Sequence, residues 1–359
     1  MLRNVLSILL GAVALLALAG CDEISKRSSG GGEILVTGKV GEVMVVCETA
    51  VWESEIKNYL DTGLTQFIMP YFPDVTTFEL VHRTPDKFEN GVKRYRNTLF
   101  INIDPTFSGE DGLIEKRMDV WATDQLVIDI TGKDFNQVLE TCKKGLDYVH
   151  DEFDYMEWKR IVNRLNKEGP KHISTEVKKQ FGFDMKVPLG SKIVTSRSNF
   201  YRIEFPVDER PMDFMGSDVG SDQGAILSGV MVYHYDFTDS SQLDFKRLLS
   251  ARDTMLKYNV PSEVEGMYMG TQYAEIVYPE FEPSESDTKV QGYDMRGMFV
   301  FTGKDHFGTG GAFWSFHFVN PKTTKVVCVS GYVDAAPTTS WTHSLRKVQA
   351  VLKSVKLDP

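Results

Sequence analysis

Residues 125–156, QLVIDITGKDFNQVLETCKKGLDYVHDEFDYM, change their apolar period once, near Asp134. Before it, Leu126, Ile128 and Ile130 alternate as in a half-buried strand. After it, Phe135, Leu139, Cys142, Leu146, Val149, Phe153 and Met156 recur at steps of four and three, which draws one apolar stripe along a long helix. A coiled-coil partner and the chain's own sheet both suit such a stripe; fewer than four clean heptads favour the sheet. Asp154-Tyr155-Met156-Glu157 has the spacing of an N-cap with a returning glutamate, so a break into two helices is expected there. Gly169-Pro170 stops the helical pattern and marks a domain boundary.

Working outward toward the amino terminus, Glu42–Cys47 reads as a strand and Val51–Gly63 as a helix with Trp52, Ile56, Tyr59 and Leu60 on one side. Phe78–His82 is a short strand, Pro85 opens a helix through Arg94, and Thr98–Ile103 is a buried strand. Strands interleaved with helices predict a helix-covered mixed sheet over residues 33–168. Toward the carboxyl terminus the rhythm differs. A helix over His172–Phe181 is ended by Gly182, and strands follow at Asn199–Phe205 and Ile226–Phe237. A helix through Leu243–Tyr258 precedes strands at Met267–Tyr278, Val290–Thr302, Gly311–Val319 and Lys325–Val333, and Trp341–Val355 closes the chain as a helix. Residues 171–359 therefore form a largely antiparallel α/β/α sandwich, and the expected fold class is α+β with two helix-covered sheet domains.

The first 32 residues do not belong to either domain. Val5–Leu18 is uncharged and shorter than the roughly 20 apolar residues of a spanning helix. It ends in Leu18-Ala19-Gly20-Cys21, which resembles the lipobox of bacterial lipoprotein precursors. That resemblance implies a signal peptide over 1–20 cut after Gly20, acylation of Cys21, and attachment to a lipid bilayer. Residues 21–32 are then the lipidated cysteine and a tether, and DEISKRSSGGG behaves as flexible coil with a reach on the order of 15–20 Å. Asp22-Glu23 resembles the export signal of surface lipoproteins in the Bacteroidota, which implies the outer membrane. The body then faces the periplasm or, as the acidic pair favours, the cell surface.

The body carries a second resemblance. TGKVGEVMVVCETAVWES at 37–54, RYRNTLFINI at 94–103, VWATDQLVIDIT at 120–131 and LLSARDTMLKYNVP at 248–261 together resemble an uncharacterised family of Bacteroidota lipoproteins with a domain of unknown function. Across Phe181–Leu357, FDMKVPLG and the succession of strands and helices resemble the Mog1/PsbP-type fold. Neither resemblance implies an activity.

Composition narrows the function classes. With 42% hydrophobic and 25% charged residues the body is an ordinary globular protein, and a formal charge of -10 repels polyanions, so no nucleic-acid partner is expected. The seven histidines form no i, i+4 pair and no Cys-His zinc spacing; neither metal nor cofactor is expected. His234 and His317 stand out because Tyr233-His234-Tyr235 and Phe316-His317-Phe318 place them in aromatic strands, from which they are expected to converge across a sheet and to contribute to a recognition surface. The glycine-rich loop His306–Gly311 lacks the Gly-Lys-Ser/Thr ending of a phosphate loop and reads as a hairpin connection, and Ser250 and Ser315 lack a glycine elbow. Cys47, Cys142 and Cys328 look like small core residues, of which at most two can pair.

Two loops read as recognition surfaces: Asp208–Gly224, with Met212, Phe214 and Met215, and the acidic Tyr278–Asp287, with Phe281. Together these features favour a non-enzymatic binding or accessory module for an envelope protein or small ligand. The alternative is an envelope hydrolase assembled from scattered histidines and carboxylates. A closed pocket joining His234 or His317 to a carboxylate would favour the enzyme; an open apolar groove or patch would favour binding.

Overall fold

A computed structural model describes residues 34–210, 224–304, 307–335 and 341–357. Gly20, Cys21 and the tether lie outside the described residues.

The first sheet contains β1 (Glu42–Val46), β2 (Glu79–Arg83), β3 (Asn97–Ile103), β4 (Leu113–Met118) and β5 (Leu126–Gly132), in the order β2-β1-β3-β5-β4. The three pairings among β2, β1, β3 and β5 are parallel, and only β4 runs antiparallel, on β5. Parallel strands are covered on both faces, which explains why all five residues of β1 are buried. Helices α1 (Thr49–Trp52), α2 (Glu55–Leu64) and α3 (Phe135–Glu168) cover one face. Phe88, Val92, Tyr95 and Trp121 cover the other.

The stripe of α3 packs on its own sheet, against Val43, Leu99 and Ile128. Asp134 caps the helix, accepting from the Gln137 N–H at 2.9 Å. The expected break at Asp154 does not occur: α3 runs unbroken for 34 residues. Asp154 has a different role, because its carboxylate accepts from Arg346 Nη1 at 2.6 Å instead of capping backbone N–H groups. Strand β4 escapes sequence reading for a related reason. It is an edge strand reading LIEKRM, whose charges pair with Glu152 and Asp129 and leave no apolar alternation.

After α4 (Lys171–Phe181), ended by Gly182 in the left-handed region, comes the second sheet. The short β6 (Phe183–Asp184) leads into β7 (Lys192–Arg197), β8 (Phe200–Glu204), β9 (Asp208–Arg210) and β10 (Gly224–Asp236). Helix α5 (Phe245–Asn259) is followed by β11 (Met267–Thr271), β12 (Glu280–Glu285), β13 (Gln291–Gly303), β14 (Phe307–Asn320) and β15 (Lys325–Asp334). The chain ends in α6 (Thr342–Lys353) and β16 (Lys356–Leu357), which pairs with β6. The antiparallel order is β11-β13-β14-β15-β10-β8-β7, with β12 on β13 and β9 on β10. Helices α4 and α6 pack on one face and α5 on the other, giving the α+β fold with a helix layer on each side. Gly331 admits α6 closely, since a Cβ there would meet Val348 at 2.1 Å.

The acidic stretch 278–287, expected as an irregular loop, contains β12. Arg296 on β13 pairs with both Glu280 and Glu282, so alternate acids face one way and Phe281 the other. The predicted strand over Met267–Tyr278 is correspondingly short and stops at Thr271.

The two halves are joined at one seam. Buried Arg346 of α6 binds Asp154 of α3, donates from Nη2 to the Thr77 carbonyl at 2.9 Å and lies 4.8 Å over the Phe78 ring. The Thr342 hydroxyl donates to the Thr76 carbonyl at 2.8 Å. Among the described residues, no helix is long and apolar enough to cross a membrane. Phe153→Ala on the sheet-facing stripe is expected to lower unfolding free energy by about 3–5 kcal/mol. Tyr155→Ala on the exposed face should change it by no more than about 0.5 kcal/mol. Urea unfolding of both variants checks the orientation of α3, and the opposite ranking would reject it.

Candidate functional site

The last turns of α3 leave the apolar face of the first sheet and become polar while staying buried. Glu157 is wholly buried, and its Oε1 accepts from Arg96 Nε at 2.7 Å, Asn97 Nδ2 at 2.7 Å and Arg160 Nη1 at 2.9 Å. Arg160 uses its remaining donors on the Asp124 carbonyl, the Arg96 carbonyl and Asn97 Oδ1. Two guanidinium groups thus share one carboxylate, and the cluster retains a net positive charge largely out of water. Desolvation pulls Arg160 down to about 10, which still leaves it charged at neutral pH.

Arg96 and Arg160 line a cavity of about 400 Å³ between the two sheets. Ile161, Leu165, Pro188, Leu189 and Pro206 supply apolar wall, while Arg164, Lys347, His343 and Glu168 add polar groups. Arg164 pairs with Glu168 at 3.0 Å, but its side chain is 78% exposed, so this surface pair is weak and readily exchanged. Four Arg or Lys side chains therefore meet one acid in the lining of a protein whose net charge is -10. A site of this composition favours an anion, and its walls accommodate an apolar group beside the charge.

The two histidines do not converge. His317 on β14 lies opposite Cys328 on β15, which lies opposite Tyr233 on β10; His234 belongs to the next row, opposite Val327. Because side chains alternate between faces, His317 lies under α5 while His234 meets Phe181 of α4, ring centroids 5.0 Å apart, on the other side of the sheet. His317 is fully buried, so it cannot contribute to a recognition surface. Its Nε2 lies 3.9 Å from the Cys328 sulfur, a thiol rather than a carboxylate. Burial, reinforced by nearby Arg252, pulls the imidazole down to about 3, and burial pushes the Cys328 thiol up to about 12. Both groups are neutral at pH 7, whereas a nucleophilic cysteine needs its thiolate. Burial likewise raises Cys47 to about 11 and Cys142 to about 12, and all three thiols are free.

Half-buried Phe281 is stacked on Tyr293 at 4.9 Å and lies 5.3 Å from Phe245, within the apolar cluster beneath α5. Met212, Phe214, Met215 and His306 lie outside the described residues. Sequence reasoning missed Arg96, Glu157 and Arg160. The available signal was that Glu157 and Arg160 stand three apart where the helical stripe ends, with Arg96-Asn97 at the head of a predicted buried strand.

Residues 170–354, more than half of the chain, match a domain of unknown function, DUF4837. The chain belongs to that family. Residues 36–166 match a second domain of unknown function, DUF8532. No curated protein matches the chain. Among solved structures, the Ran-binding protein Mog1p of Saccharomyces cerevisiae is similar at 12% identity and a TM-score of 0.27, over 49% of this chain and 92% of that one. PsbP of the cyanobacterium Synechocystis is similar at 8% identity and a TM-score of 0.22, over 47% of this chain and 92% of that one.

The buried imidazole gives the DUF4837 half a pH signature. An unfolded His317 takes up its proton near pH 6.5, the folded one only near 3, so stability falls as pH drops between those values. The contribution is on the order of 4–5 kcal/mol across the window. His317→Gln should flatten unfolding free energy against pH across that window relative to the parent. Parallel profiles would show that His317 is not held neutral.

Proposed function

We propose that this protein is a membrane-anchored envelope lipoprotein, held through acylated Cys21, whose body is a binding module. Its ligand is a small anion bearing an apolar group, taken in the cleft between the two sheets. The observation that carries this reading is the pair of guanidinium groups sharing the single buried carboxylate of Glu157 beside apolar wall. A positive charge withdrawn from water interacts more strongly with an incoming anion than a surface lysine does. Arg160 is already oriented by Asn97 and by backbone carbonyls, and Arg96 by Glu157 and the Gly38 carbonyl, so little ordering is required on binding. The anchor is supported by the run Leu18-Ala19-Gly20-Cys21 and the polar, glycine-ending tether behind it.

Two measurements test the two parts separately. Mass spectrometry of the mature amino terminus is expected to find a diacyl or triacyl modification on Cys21; an unmodified terminus would overturn the anchor. For the cleft, titration calorimetry with octanoate and octylammonium compares equal chains of opposite charge. Octanoate should bind, octylammonium should not, and Arg164→Glu with Lys347→Glu should weaken octanoate about tenfold or more. Equal affinity for both probes, or no response to the double substitution, would overturn the cleft reading.

A further inference from the structure

The segment 65–76, TQFIMPYFPDVT, joins α2 to β2 and folds back on itself. The Ile68 N–H donates to the Val75 carbonyl at 2.7 Å, and the Thr77 N–H donates to the Gln66 carbonyl at 2.8 Å. Tyr71 and Val75 point inward and are buried in the core of the second sheet, where the Tyr71 hydroxyl donates to the Phe313 carbonyl at 3.0 Å. With that side pinned, Phe67, Met69 and Phe72 face water at 61%, 51% and 58% exposure. The twelve residues contain one charge, Asp74, in a chain that is 25% charged. A grouped, anchored set of large apolar side chains with almost no charge fits a hydrocarbon partner better than a polar one.

Placement identifies the hydrocarbon. The loop enters β2 at the amino-terminal edge of the parallel sheet, and residues 34–41 run along that same edge, with Leu35 bridging to Thr123 just before β5. The point where the chain from Cys21 joins the body is therefore three strand spacings, about 15 Å, from the start of β2, the strand that the loop enters. Residues 22–33, which lie between Cys21 and that point, span a root-mean-square distance on the order of 20 Å. A bilayer holding Cys21 is thus within reach of the loop. The net charge of -10 gives the body no general attraction to anionic headgroups, so contact has to come from apolar side chains.

We infer that Phe67, Met69 and Phe72 enter the interface of the bilayer that anchors Cys21 and so set the orientation of the body. This rests on the anchoring reading above. The test imposes the anchor chemically: the mature chain is coupled through Cys21 to a maleimide phospholipid in phosphatidylcholine vesicles. Cys47, Cys142 and Cys328 are buried, which leaves Cys21 as the reactive thiol. In Phe72→Trp, and independently in Met69→Trp, the added tryptophan emission over the parent should shift to the blue and be quenched by brominated lipid. Emission that stays water-like and unquenched would overturn the inference. So would a blue shift already present in the uncoupled chain that grows with protein concentration, since the loop would then be covering a second copy. Because coupling does not depend on cellular acylation, failure of the native anchor is read separately, from the mass of the mature terminus.

Discussion

Glu157 is the point that fixes α3, the helix whose Asp154 meets the second half, to the head of β3. A carboxylate with no exposure to water is costly to hold in charged form, and it persists because three donors from Arg96, Asn97 and Arg160 converge on one oxygen. The arrangement ties the head of β3 to the far end of α3. From there α3 continues to the cleft, and one turn earlier its Asp154 binds Arg346 of α6. A hydrophobic substitute at Glu157 would leave two guanidinium groups without their shared counter-charge, so the polar cluster cannot be trimmed one residue at a time.

This also explains what the sequence made legible. Elements with a clear period were readable: the stripe of α3, the buried strands β1, β3 and β5, and the long antiparallel strands β10, β13, β14 and β15. Elements stabilised by specific polar pairs were not. Strand β4 has charges on both sides of its alternation, and β12 has acids matched to Arg296 across the strand pair; neither pattern is visible without the partner. The predicted break in α3 failed similarly, because a capping spacing at Asp154–Glu157 was taken up by long-range partners, Arg346 and Arg96.

The histidine pair shows a limit of another kind. Strand membership was legible for both His234 and His317, but the face was not, because face depends on register and register depends on the neighbouring strand. Once the pairings are fixed, His317 falls with Cys328 beneath α5. There Arg252, also buried, lies 3.4 Å over the Phe313 ring and donates to the Thr271 hydroxyl at 2.6 Å. A guanidinium in this position further disfavours protonation of the imidazole. The environment keeps the imidazole and the thiol neutral, which suits packing between a helix and a sheet.

In open sheets of parallel strands, ligand crevices usually form at the carboxyl ends. Here that edge is occupied by its own turns: Asp104 accepts from the N–H and hydroxyl of Thr106, and Asp134 is committed to capping α3. The amino edge is where the second half packs, and it gathers the features with unmet potential. Val40 and Arg96, which precede β1 and β3, line the cleft; the loop carrying Phe67 precedes β2; and the chain from Cys21 arrives beside β5. Short connections into parallel strands must all enter at the same edge, so the topology itself brings the charged cleft, the apolar loop and the end of the tether together.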